Sequence, residues 1–110
     1  MKEIIDTSLI IAIDFDGTIH DFKHPVKGRK MGEPINGARE ALKILKSKGY
    51  EIIVFCYWAY NERSIKTISD WMNYFNLPYD DITNIKPDAK AYIDDRGIRF
   101  TNWKEVLECI

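Results

Sequence analysis

Ser8-Leu9-Ile10-Ile11-Ala12-Ile13-Asp14-Phe15-Asp16-Gly17-Thr18 runs from a block of isoleucines straight into two aspartates and a glycine. Residues 8–13 are continuously apolar and rich in β-branched side chains, the pattern of a strand buried on both faces. Asp14 ends the run and Asp16-Gly17-Thr18 opens a turn. A strand of this kind belongs to a parallel sheet covered by helices, and the rest of the chain bears the matching signals.

Residues 20–33 are polar, glycine-bearing and without period, so a loop or short flap is expected at about 19–34. Asn36 is placed to cap a helix with Ala38, Ala41, Leu42 and Leu45 at helical spacing, and Gly49 is its natural stop. Residues 51–56 (Glu-Ile-Ile-Val-Phe-Cys) repeat the buried-strand pattern. Asn61 caps a second helix with Ile65, Ile68, Met72 and Phe75 on its inner stripe, and Leu77-Pro78 ends it. The Trp71, Met72 and Phe75 group reads as core. Residues 82–85 are a weak strand, 91–93 a short one leading into Asp94-Asp95. Asn102 starts a last helix with Trp103, Val106, Leu107 and Ile110 on one face. Strands alternating with helices predict a three-layer α/β/α sandwich around a small, mostly parallel Rossmann-like sheet. One connection strains this scheme: residues 86–90 are too few for a parallel crossover, which needs about a dozen. Either 82–85 is not a full strand or the sheet is trimmed there.

The chain of 110 residues is expected to form one domain. At this size it buries about two-thirds of the surface its unfolded form exposes, enough for one core. Sixteen basic residues stand against 17 acidic ones, so no broad attraction to nucleic acid or anionic membrane is expected. The start, Met1-Lys2-Glu3-Ile4-Ile5-Asp6, carries acids where a signal peptide has its apolar run. No apolar segment approaches the ~20 residues of a membrane helix. Cys56 and Cys109 do not make a disulfide framework, and with no export signal they are expected as reduced thiols in the cytoplasm.

In an open parallel sheet, ligands gather at the carboxyl ends of the strands. Asp14, Cys56 and Asp94 each lie at or just past such an end. Aspartates often do no more than punctuate a strand end. Here a glycine and threonine follow the first pair, and a second acidic pair follows another apolar strand. Carboxylates gathered in one crevice repel and need a cation to stay ionised together. Mg²⁺ suits them, as a hard ion with oxygen ligands that also takes substrate phosphate.

Asp14-Phe15-Asp16-Gly17-Thr18 resembles the first signature of the haloacid dehalogenase-like (HAD) superfamily, most of whose members are phosphatases. Lys86-Pro87 resembles its lysine motif and Ile93-Asp94-Asp95-Arg96 its terminal acidic motif. The resemblance spans nearly the whole chain in the correct order. It implies a small, capless, Mg²⁺-dependent phosphomonoester hydrolase working through an aspartyl-phosphate. Asp14 would be the nucleophile and Asp16 the general acid and then base, a task that requires a pKa nearer neutrality than a free aspartate has. The metal would be held by Asp14, the backbone carbonyl of Asp16 and Asp94, with Asp95 an additional ligand through water or an orienting group. Lys86 would pair with Asp14 and the phosphoryl oxygens. Lys90 is its rival, and Lys86 is preferred because it follows residues 82–85 on the active edge.

The departure from the family pattern is Cys56, where the second motif has Thr or Ser to hold a phosphate oxygen. A thiol is the weaker donor. Cys56 is therefore either a phosphate contact that lowers turnover or a buried structural cysteine. Gly17, Thr18 and Tyr57 complete the expected substrate contacts. Tyr57, Trp58 and Tyr60 either stack on a base or close one side of the core. His20 and His24, with Lys23, Lys27, Arg29 and Lys30, form either a basic rim or a solvated loop. Arg96 would touch substrate or neutralise the acids beside it.

An open site suits a bulky phosphoryl substrate, such as a nucleic-acid end or a phosphoprotein, and the partner expected is a phosphorylated small molecule, nucleotide or nucleic-acid end. The site is equally compatible with closure by a second subunit of a homo-oligomer. The alternative function is a catalytically weak module that binds Mg²⁺ and phosphate for regulation or interaction. A phosphorylation-receiver domain shares the sheet type, but its acids come in a different order.

Overall fold

The computed structural model describes residues 7–95 and 102–109. A 3₁₀ turn, Thr7–Leu9, leads into β1 (Ile10–Asp14). Then come α1 (Ala38–Ser47), β2 (Glu51–Phe55), α2 (Glu62–Tyr74), β3 (Asp81–Thr83), β4 (Ala91–Ile93) and α3 (Trp103–Cys109). The four strands form one parallel sheet in the order β3-β2-β1-β4. The fold is α/β with a small Rossmann-like sheet, as the alternation of elements predicts. Among the described residues no helix is long and apolar enough to cross a membrane.

The register sorts the side chains. Ile11 and Ile13 pair with Ile52 and Val54, Val54 with Ile82, and Ile11 with Ala91. Partners in a parallel ladder share a face, and alternate residues share it along each strand. These side chains therefore make one apolar face, joined in a single core to Leu42 of α1 and to Ile68, Trp71 and Met72 of α2. Both helices lie on that face, as right-handed crossovers running β1 to β2 to β3 in one direction require. Ala12, Asp14, Phe55 and Tyr92 belong to the opposite face.

The helix ends show how local sequence sets the frame. Asn61 caps α2 as expected, its side chain accepting the Ser64 N–H at 2.8 Å. Asn36 does not cap α1. The position belongs to Gly37 at φ 87°, with no side-chain cap, and the Ala38 N–H bonds to the Ile35 carbonyl instead. Ile35 is itself tied to Ile19 by its N–H at 2.8 Å, so the backbone supplies the turn an asparagine side chain was expected to make. Gly49 stops α1 as foreseen, with the Tyr50 N–H on the Leu45 carbonyl and its own N–H on Lys46. The same paired bonds end α2, but the left-handed residue is Asn76 at φ 56°, one before Leu77-Pro78.

The short connection from β3 to β4 also resolves. β3 stops at Thr83, so the weak strand is cut to three residues. β3 and β4 occupy opposite edges of the sheet. The return spans about 14 Å across three strand spacings and about 10 Å back along a short strand, or about 17 Å in all. Eight Cα steps reach about 27 Å, so no helix is needed. The segment crosses the face opposite α1 and α2. The Tyr92 hydroxyl donates to the Pro87 carbonyl at 2.6 Å, and the Lys90 N–H meets Ile10 at the far end of β1.

Candidate active site

Strand β1 is followed in the chain by elements on one side of it and later by β4 on the other. The crevice between β1 and β4 at their carboxyl ends is therefore the topological switch point, where parallel α/β sheets bind ligands. Asp14 is the last residue of β1. Ile13 is in register with Ile93, so one step further Asp14 and Asp94 stand side by side.

A cavity of about 300 Å³ opens there, lined by Asp14, Asp94, Asp95 and Lys86 above a floor of Ala12, Phe55, Tyr92 and Ile93. A second hollow of about 400 Å³ adjoins it, lined by Asp14, Asp16, Asp95, Cys56, Phe22 and Tyr57. Asp14 and Asp95 border both, which makes them two lobes of one crevice centred on Asp14. Of the two candidate lysines, Lys86 lies in this crevice, its Nζ 4.4 Å from the centre of the Tyr92 ring. Lys90 is at the opposite end of the sheet, 5.5 Å from the Tyr50 ring.

The carboxylates differ in their electrostatics. Burial pushes the Asp14 pKa up, and repulsion from Asp95, Asp94 and Asp16 adds to it, only partly offset by the Phe15 backbone N–H. At Asp16 burial acts to raise the pKa, but hydrogen bonds from His20 and Trp58 outweigh it and the net shift is downward. The Trp58 Nε1–H donates to Oδ2 at 2.7 Å, and His20 Nδ1 meets Oδ1 at 2.7 Å. This direction opposes the near-neutral value expected for an acid catalyst; two donors that favour the carboxylate are the physical reason.

Asp95 is held over Gly17. At φ 87° Gly17 adopts a left-handed turn, and a Cβ there would collide with the Asp95 carboxylate. Thr18 lines neither lobe of the crevice: its hydroxyl is buried without a hydrogen-bond partner among the described residues, at a groove beneath α1. Cys56 is 1% exposed, the setting of a buried structural cysteine, and it also lines the Asp14–Asp16 hollow. Burial pushes that thiol up to about 12, so it is protonated and not a nucleophile.

Three aromatic positions separate by environment. Trp58 is half-buried, edge-on to Phe15 at 6.0 Å, with its indole N–H committed to Asp16. Tyr57 is 76% exposed at the crevice mouth, and Tyr60 is exposed beyond it. The flap splits as well. Lys23, Lys27, Arg29, Lys30 and His24 are all exposed, with His24 on Asp21, and none borders the crevice. They form a solvated loop. His20 belongs to neither expected class, being 4% exposed and stacked on Phe15 at 5.0 Å. Its tie to Asp16 and the place of Phe22 at the mouth escape a linear reading. The one local hint is that His20 follows Asp16 by four residues beside the apolar Ile19. Arg96 lies outside the described residues.

Asp14, Asp94 and Asp95 are hard oxygen donors, and the mutual repulsion that raises Asp14 is what a divalent cation would relieve, so in chemistry the set fits Mg²⁺. Among the described residues, however, no three His, Cys, Asp or Glu side chains group closely enough to hold an ion by themselves. A site here would need backbone carbonyls, water or substrate oxygens to complete it.

No protein-family model matches the chain, and no curated protein does. Among solved structures it is similar to a conserved protein from Bacteroides thetaiotaomicron, with 26% identity and a TM-score of 0.63 over 92% of this chain and 88% of that one. The α/β fold with a small parallel sheet is therefore shared with a second protein of nearly the same length.

Proposed function

We propose that this chain is a Mg²⁺-dependent phosphatase of the HAD-like kind, hydrolysing phosphomonoesters through an aspartyl-phosphate on Asp14. The observation that carries the reading is the convergence of Asp14, Asp94, Asp95 and Lys86, from three separate segments, on one crevice at the switch point. In this reading an Asp14 carboxylate oxygen attacks phosphorus, and the bond to the leaving oxygen breaks. Asp16 gives that oxygen a proton. Water then attacks the acyl phosphate, its proton passes to Asp16, and the bond between Asp14 and phosphorus breaks to release phosphate. Lys86 neutralises phosphoryl oxygens. Asp14, Asp94, Asp95 and the backbone carbonyl of Asp16 would hold Mg²⁺, which supplies charge neutralisation for the phosphoryl group when bound.

The lowered pKa of Asp16 keeps it ionised for its second task, as base toward water, while making it a weaker base than a free aspartate. An incoming phosphate brings negative charge next to Asp16, which works against its two donors and moves the pKa back up for the first. Phe22 and Tyr57 at the mouth favour a substrate with a planar group beyond the phosphate, such as a nucleotide or a polynucleotide end.

Release of phosphate from p-nitrophenyl phosphate and a nucleotide panel, with and without Mg²⁺, tests the proposal. Activity is expected to need Mg²⁺ and to vanish in Asp14→Asn; a rise in Cys56→Thr would assign the thiol to the phosphate. A second reading, a module that binds Mg²⁺ and phosphate with little turnover, draws on the absence of a self-sufficient metal group among the described residues. Mg²⁺ binding with no turnover by either the native chain or Cys56→Thr would favour it.

A further inference from the structure

His20 is buried in the centre of the molecule, and both of its ring nitrogens are engaged. The Gly32 N–H donates to Nε2 at 2.9 Å. A nitrogen that accepts a backbone N–H carries no proton of its own, so the ring is neutral and its proton sits on Nδ1. Nδ1–H therefore donates to Asp16 Oδ1, at 2.7 Å. Gly32 is fixed in turn, because its carbonyl accepts the Trp71 indole N–H at 2.9 Å. The imidazole is also clamped by rings, stacked on Phe15 at 5.0 Å and edge-on to Trp71 at 5.2 Å. A line of hydrogen bonds thus runs from α2 through the flap to one oxygen of Asp16, while Trp58 holds the other.

We infer that His20 is a positioning residue, which holds Asp16 in the orientation that passes a proton to the leaving oxygen. This rests on the phosphatase reading of the site. The chemistry separates it from a packing role. A hydrogen bond to the acid's other lone pairs sets where its proton points, and that matters most when the leaving group needs a proton. A nitrophenolate departs nearly unaided; an alkoxide does not.

The test compares the native chain, His20→Phe and His20→Asn on p-nitrophenyl phosphate and on glycerol phosphate with Mg²⁺. His20→Phe keeps the ring packing and loses the donor. Its kcat on glycerol phosphate is expected to fall about ten-fold or more, the usual effect of removing an orienting partner, with KM little changed and a clearly smaller loss on p-nitrophenyl phosphate. His20→Asn can present an amide N–H close to the Nδ1 position and is expected to recover most of the loss. Nitrogen-15 NMR of the native chain should show the proton on Nδ1, a readout independent of any variant. An Nε2–H tautomer, or equal losses on both substrates, or an asparagine variant that folds and fails like phenylalanine, would overturn the inference and leave the phosphatase reading intact. No turnover by the native chain on either substrate would remove both.

Discussion

Replacing Gly32 by alanine probes the clamp between flap and core. A Cβ at this position would run into the backbone carbonyl of Asp21 and crowd that of His24 at 3.0 Å. Backbone carbonyls do not swing aside as side-chain tips do, so residue 32 must withdraw. Withdrawal breaks two buried hydrogen bonds together, Gly32 N–H to His20 and Trp71 N–H to Gly32. Leaving a buried polar group unpaired costs about 1–3 kcal/mol, so a loss of about 3 kcal/mol is expected for the two. In a domain of this size each kcal/mol moves the melting midpoint by about 4–8 °C, which makes the fall roughly 12–24 °C. Gly28→Ala is the control in the same flap. Gly28 sits at φ 79° with nothing within 4 Å, so alanine there meets only the left-handed penalty of about 1–2 kcal/mol. Thermal unfolding by circular dichroism and urea titration of both variants would give the comparison. If Gly32→Ala falls no further than Gly28→Ala, the flap is not clamped between His20 and Trp71 and the reasoning fails.

Trp58→Phe removes a donor to a carboxylate whose pKa is lowered in the fold. Such a group adds stability above its unfolded pKa and loses it as pH falls through the folded one, so the deficit of the variant, about 1.5–3 kcal/mol at pH 7, should shrink by pH 3 in urea titrations. A deficit independent of pH would show that the indole contributes packing alone. Asp14 has the opposite sign: its raised pKa means stability present at low pH and lost as pH rises through the folded pKa. Asp14→Asn is accordingly expected to melt higher than the native chain at neutral pH in EDTA, and a lower midpoint would contradict the repulsion assigned to the three neighbouring acids. Lys86→Met should abolish phosphatase activity while Lys90→Met leaves it near native, since only Lys86 borders the crevice; the reverse pattern in the same assay would reassign the lysine.

What could be read in the chain itself was whatever short-range physics controls. An unbroken apolar run with three isoleucines in residues 8–13 can satisfy itself only inside a covered sheet, and β1 lies there. Asn61 and Gly49 act on the backbone within four residues of themselves, so their effects followed directly from position. Asn36 failed by the same logic: a longer-range tie, Ile35 to Ile19, made the side-chain cap unnecessary. The order of the acidic motifs located the candidate chemistry at strand ends, because alternation alone implies which end of a parallel strand meets the loops.

Tertiary structure decided the rest. Lys86 and Lys90 are four residues apart and alike in chemistry; only the sheet order, with β3 and β4 at opposite edges, sends one to the crevice and the other to the far end. Trp58 carries no local mark of its attachment to Asp16, 42 residues away, and His20 has only its spacing of four residues beside Ile19. Whether a histidine in a polar flap is solvated or buried depends on which backbone N–H meets it, and that donor, Gly32, is twelve residues on and held by a tryptophan of α2. Residue type sets what a side chain can donate or accept. Which partner it finds is settled by chain segments brought together through the core, and no pattern of near neighbours encodes that.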